Sequence, residues 1–133
     1  DLHIGHGPYY AFFRPYHLTS LEVPLTCARI MLQGKPDMVP LPHPVAEVCA
    51  VAKRDLKPGE TFDAIGETCY RSFTMRIGDS RAAKAVPVGL LEGGKVTAPV
   101  SKGQLLTQAN SQPDTSTRLF ALRRAQDRML GLL

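Results

Sequence analysis

The feature that most constrains this chain is a segment that occurs twice. Arg54-Asp55-Leu56-Lys57-Pro58-Gly59-Glu60-Thr61-Phe62-Asp63 is echoed by Ala98-Pro99-Val100-Ser101-Lys102-Gly103-Gln104-Leu105-Leu106-Thr107 at a constant spacing of 44 residues. That spacing sets Leu56 against Val100, Gly59 against Gly103, Glu60 against Gln104 and Phe62 against Leu106. Each copy reads as a strand end, a tight turn and a short apolar strand, with glycine where the turn most needs a positive φ. Two strand-turn-strand units in so short a chain predict a compact, pseudo-symmetric β fold. The competing reading is two unrelated turns of common composition.

The surrounding sequence divides at a proline-rich stretch. Before it, Thr19 and Glu22 match the Thr-x-x-Glu capping box, which predicts a helix running to about Gln33. Leu21, Leu25, Ala28 and Leu32 form an apolar stripe at helical spacing, Pro24 falls near the first turn, and Gly34 is a fitting stop. Lys35 to Pro44 carries Pro40, Pro42 and Pro44 and reads as a linker, the expected boundary. Val45 to Ala52 then reads as a largely buried strand. Thr68 to Ile77 alternates and predicts a half-buried strand, with Cys69, Phe73, Met75 and Ile77 inward and Gly78-Asp79-Ser80 as a break. Ala85 to Leu91 is a short apolar run, Gly93-Gly94 a turn, and Lys95 to Val100 a further candidate strand. A closing helix is expected over about Ser116 to Leu130, with Leu119, Leu122 and Met129 on its apolar side. The expected fold class is therefore mostly β, in three parts: residues 1–44, 45–110 and 111–133.

Charge and cysteine usage exclude several classes. A net charge of +4 over 133 residues is spread out rather than gathered, and no Trp stands near the Lys53-Arg54 or Arg123-Arg124 pairs. A solvated surface fits this better than a nucleic-acid partner. Cys27, Cys49 and Cys69 are odd in number and lack Cys-x-x-Cys spacing, so free thiols in a reducing compartment are expected, not a disulfide framework. His3, His6, His17 and His43 form no i,i+4 pair, so no metal is expected. The absence of an apolar run near 20 residues and of a visible secretory signal points to no membrane partner and a cytoplasmic location. With no initiator Met, the chain reads as the C-terminal piece of a larger protein.

The two copies, in order, resemble the SAF domain, the antifreeze-like module also found at the C-terminus of sialic acid synthases. The resemblance implies a β-clip fold over residues 45–110. The flanks Arg14-Pro15-Tyr16-His17-Leu18-Thr19-Ser20-Leu21-Glu22-Val23-Pro24, Pro44-Val45-Ala46-Glu47-Val48 and Leu122-Arg123-Arg124-Ala125-Gln126-Asp127 extend it. They are similar to a bacterial group of homoserine-dehydrogenase-like oxidoreductases. Some of that group are 1-deoxy-D-xylulose 5-phosphate reductoisomerase-like and use NADPH. The resemblance implies upstream Rossmann and catalytic domains as partners, NAD(P) as the parent's cofactor, and a role in covering the cleft or supporting a homo-oligomer. One departure matters: Gly5-His6-Gly7 lacks the third glycine and follows no strand, so no nicotinamide fingerprint is present and no cofactor is expected on this chain alone.

No complete catalytic set is visible. By the resemblance, His6, Tyr16, His17 and Glu22 line the parent's cleft, where histidine would move a proton or hold a substrate phosphate. The plainer reading is aromatic packing and a helix cap. Arg71 interrupts an apolar strand face, and needs a carboxylate partner, a cleft rim or solvent. Lys53 and Arg54, where the first copy enters its turn, are either an exposed charge pair or basic residues presented to an anion. Two other functions stay open: an independent SAF binding module for a sugar acid or other anion, and a chaperone-like SAF protein of flagellar P-ring assembly.

Overall fold

The chain divides between Leu41 and Pro42 into two units. The computed structural model describes residue 13 and residues 15–36 and 38–132. The first unit holds helix α1, Thr19–Gln33. Its N-cap is Leu18, in extended conformation and with no side-chain cap bond, so the expected capping box is not formed. Thr19 is already the first helical residue, one position too late to cap. Leu18 O instead accepts the Leu21 and Glu22 N–H groups, each at 3.0 Å. Gly34 ends the helix with its N–H on Ile30 O at 2.9 Å. No α1 residue is buried, and the stripe residues Leu21, Leu25 and Leu32 are exposed.

The second unit is built on the repeat. Leu56 and Val100 exchange both backbone hydrogen bonds, at 2.8 and 3.1 Å, and three neighbouring bonds each have a mate 44 residues away. Gly59 N–H donates to Val96 O at 2.8 Å, and Gly103 N–H to Ala52 O at 2.8 Å. Val96 N–H donates to Glu60 O and Ala52 N–H to Gln104 O, each at 2.9 Å. Phe62 N–H reaches Gly94 O at 3.0 Å, and Leu106 N–H reaches Ala50 O at 2.9 Å. The turns match down to their side chains: Glu60 Oε1 accepts from Lys57 N–H at 2.6 Å, and Gln104 Oε1 from Ser101 N–H at 2.9 Å. Gly59 and Gly103 take φ of 90° and 83°, the left-handed conformation that turns of this kind give to glycine. The two copies are thus related by a local two-fold axis passing between Leu56 and Val100, and each turn closes on a strand of the other copy.

Around this axis, β1 (Ala46–Ala52) pairs antiparallel with β2 (Tyr70–Arg76), Ala46 opposite Arg76 and Ala52 opposite Tyr70. Further bridges tie β1 to Pro87 and Leu105. The N-terminal half of β1 is partly open, whereas Cys49 to Ala52 are buried, as a strand with neighbours on both edges requires. A second pair, β3 (Lys95–Val96) with β4 (Ser111–Gln112), runs antiparallel and is very short. Gly94 enters it so closely that a Cβ there would stand 2.5 Å from Gln112 O. Leu56, Phe62, Tyr70, Leu91, Val96, Val100 and Leu106 form the core, with Phe62 and Tyr70 edge-on at 5.8 Å between ring centroids.

Three expectations change. Tyr70, not among the residues expected inward, is fully buried against Phe62, while Phe73, expected inward, is 43% exposed. Only the start of β2 enters the core; the rest overhangs it, so alternation does not track burial. The expected break at Gly78-Asp79-Ser80 is helix α2, Ile77–Ala82, and Val88–Leu90 is a 3₁₀ turn. With α3 (Arg118–Met129) and α1, helix reaches about 31% of the described residues against 21% strand, so they are mixed rather than mostly β. Most pairing in the repeat is by isolated bridges, which hold the core without long ladders.

Candidate functional site

Helix α3 begins at Thr117, whose Oγ1 accepts the Phe120 N–H at 3.1 Å. Its expected inward stripe is overturned: Leu119, Leu122 and Met129 are 55%, 57% and 86% exposed. The side that docks is ionic. Arg123 Nε donates to Asp127 Oδ1 at 2.8 Å, one helical turn on, and the same guanidinium binds the Glu47 carboxylate of β1. Arg81 of α2 donates to Asp127 Oδ1 at 2.9 Å and lies 3.8 Å from Glu47. Two guanidiniums and two carboxylates therefore close a ring that joins β1, α2 and α3. Asp127 is only 5% exposed. Burial opposes its ionisation, but the hydrogen bonds from Arg81 and Arg123 hold its carboxyl below the ordinary range. Glu47 in turn raises the pKa of Arg123. Beside them, burial pushes the Cys49 thiol up, which makes it a poor nucleophile.

Two clefts flank this ring. One, of about 420 Å³, lies between the end of α2, residues 84–90, Gln108, residues 113–115 and α3. Val86, Pro87, Leu90 and Phe120 give it apolar walls, and Lys84 and Arg124 stand among its lining. Lys84 is the one non-glycine with positive φ among the described residues, at 50°. Its backbone is held from both sides: its N–H donates to Arg81 O at 3.0 Å, and its carbonyl accepts from Gln108 N–H at 2.9 Å. The other cleft, about 390 Å³, is lined by Val48, Val88, Leu90, Leu119 and Leu122 among others. Sequence reasoning passed over both clefts, because they assemble from α2, α3 and the connection after α2, segments read as a break, a closing helix and a short apolar run.

The residues singled out from sequence fall in separate places. His6 lies outside the described residues. His17 and Glu22 do meet, Nδ1 to Oε2 at 2.6 Å, beside Thr19, Thr26 and Cys27 in the first unit. Tyr16 is 59% exposed. Arg71 is exposed, with Nη1 3.4 Å from Ser72 O, rather than held within an apolar face. Lys53 spends its ammonium on Gly66 O, at 3.0 Å, and on Glu67 O, pinning the loop before β2. Arg54 pairs with Glu60 at 2.7 Å and reaches Cys69 Sγ at 3.5 Å. That pairing, together with the Lys57 N–H, keeps Glu60 below the ordinary carboxylate range. Arg54 thus braces the first turn, and Lys53 the loop before β2. No group of three or more His, Cys, Asp or Glu able to hold a metal occurs among the described residues. Nor, among them, is any helix long and apolar enough to cross a membrane.

Neither a protein-family model nor a curated protein sequence matches the chain.

Proposed function

We propose that residues 45–110 are a SAF-like β-clip module followed by a helical tail, and that the chain is the C-terminal part of an NAD(P)-dependent, homoserine-dehydrogenase-like oxidoreductase, without catalytic activity by itself. The observation that carries this reading is the local two-fold axis at Leu56 and Val100, with turns matched bond for bond. Those are the two segments on which the resemblance rests. The first unit fits the same reading. An amphipathic helix with no buried residue is marginal alone and gains its stability by packing on a neighbour, here the upstream catalytic domain. The His17–Glu22 pair sits at the start of that helix, where the resemblance places the parent's cleft. The module's role is then to cover that cleft or to support oligomerisation.

Two measurements test this. The coding sequence upstream should carry a Gly-x-Gly-x-x-Gly between a strand and a helix; an upstream region without a nucleotide-binding domain removes the oxidoreductase half of the reading. Calorimetry on the present chain should show no NADPH binding, and micromolar affinity would overturn the assignment as a non-catalytic module.

A further inference from the structure

The 420 Å³ cleft beside α3 has an imbalance of charge that the fold does not use. Four cations line it: Arg81, Lys84, Arg123 and Arg124. Arg81 and Arg123 are committed to Glu47 and Asp127, two positive charges against two negative. Lys84 and Arg124 have no ion pair or side-chain hydrogen bond among the described residues. The cleft therefore presents two uncompensated cations over apolar walls, a combination suited to an organic anion rather than to bare solvent. Its volume falls in the range of small-molecule sites, roughly 300–1,000 Å³.

The backbone at Lys84 fixes where its side chain leaves. Lys84, at φ 50°, is the left-handed residue that ends α2: its N–H donates to Arg81 O at 3.0 Å and the Ala85 N–H to Ser80 O at 2.9 Å. Its carbonyl accepts from Gln108 N–H at 2.9 Å, so the origin of the side chain is held beside the cleft.

We propose that this cleft binds a small organic carboxylate, the carboxylate held by Lys84 and Arg124 and the apolar body lying against Val86, Pro87, Leu90 and Phe120. The inference does not depend on the oxidoreductase reading. It concerns a site other than Arg71, Lys53 and Arg54, the cations that the sequence offers as anion-binding candidates.

The test is a titration of the isotopically labelled chain followed by amide chemical shifts. The probes are 3-phenylpropanoate, its neutral amide 3-phenylpropanamide, and inorganic phosphate. The carboxylate should move the amides of Lys84, Gln108 and Arg124 saturably, and the amide and phosphate should each bind at least about tenfold more weakly. Lys84→Gln and Arg124→Gln should each weaken the carboxylate, and the double variant should abolish saturable binding. Lys102→Gln, an exposed cation on the second turn, should change nothing. Equal binding of the neutral amide would show an apolar slot without anion recognition, and equal binding of phosphate would show charge without a site for the body. Shifts confined to other residues, or Arg124→Gln binding as the parent does, also overturn the proposal. Should misfolding complicate Lys84→Gln, Arg124→Gln, with its fold checked by circular dichroism, decides alone.

Discussion

Gly59 and Gly103 hold their positive φ in open space, where an added Cβ meets nothing within 4 Å. Alanine at either site thus meets only the backbone penalty, about 1–2 kcal/mol. Because the sites are equivalent under the two-fold axis, Gly59→Ala and Gly103→Ala should lower urea-unfolding stability by similar amounts. Gly94→Ala should cost more than either, since its Cβ would collide with Gln112 O at 2.5 Å and Leu91 O at 2.9 Å, both backbone atoms with little room to yield. Asp63 gives a second prediction at this scale. Its carboxylate accepts the Thr68 N–H at 2.7 Å, the Thr68 hydroxyl at 2.6 Å and the Cys69 N–H at 3.1 Å, closing the loop that leads into β2. Burial opposes its ionisation, but these bonds prevail and lower its pKa to about 2. The unfolded carboxyl, near 3.8, then binds the proton more readily than the folded one. The stability Asp63 contributes is present above about pH 4 and is lost on acidification toward pH 2. Asp127, lowered in the same direction, adds to the effect. Denaturant unfolding followed from pH 5 to pH 2 should show a falling stability, and Asp63→Asn should flatten the fall.

Helix α3 shows what an element discloses and what it hides. Its existence and rough limits were legible, because a 3.6-residue period is a local signal. Its buried side was not. The apolar stripe of Leu119, Leu122 and Met129 says which face is greasy, but Arg123 and Asp127 turn inward to meet Glu47 and Arg81, and Glu47 lies 76 residues from Arg123. The same limit explains the cleft, whose Lys84 and Arg124 come from separate elements. The repeat escaped this limit in part because both copies carry the same turn chemistry, so comparing the chain with itself marked the two turns as equivalent, though not that they meet at Leu56 and Val100. The helix docking has a direct test. Arg123→Met leaves the Glu47 and Asp127 carboxylates short of a partner in a mostly buried setting, a loss of about 3 kcal/mol in thermal or urea unfolding. Leu122→Ala, on the exposed face, should change stability by less than about 1 kcal/mol.

The whole chain consists of two units of unequal self-sufficiency. Residues 34–36 and 38–43 are exposed, and the bonds described for the second unit close within residues 45–132. Limited digestion with thermolysin should cut first between Gly34 and Pro44, near the exposed Met38, Val39 and Leu41, and leave a folded fragment beginning there. Mass spectrometry of the early digest reads the site, and a first cut within residues 45–110 would show that the boundary is misplaced. The two-fold axis carries a further consequence for how such a fragment behaves when crowded. Each turn is completed by the other copy's strand and not by its own, so every bond across the axis could be made equally well by the corresponding strand of a second molecule. Residues 63–93 are then a tether, and its length sets the local concentration at which a chain finds its own other half before a neighbour's. Dilute refolding favours the self-contained molecule; concentrated refolding favours pairs of chains that have traded halves, with the same turns, the same bonds and twice the mass.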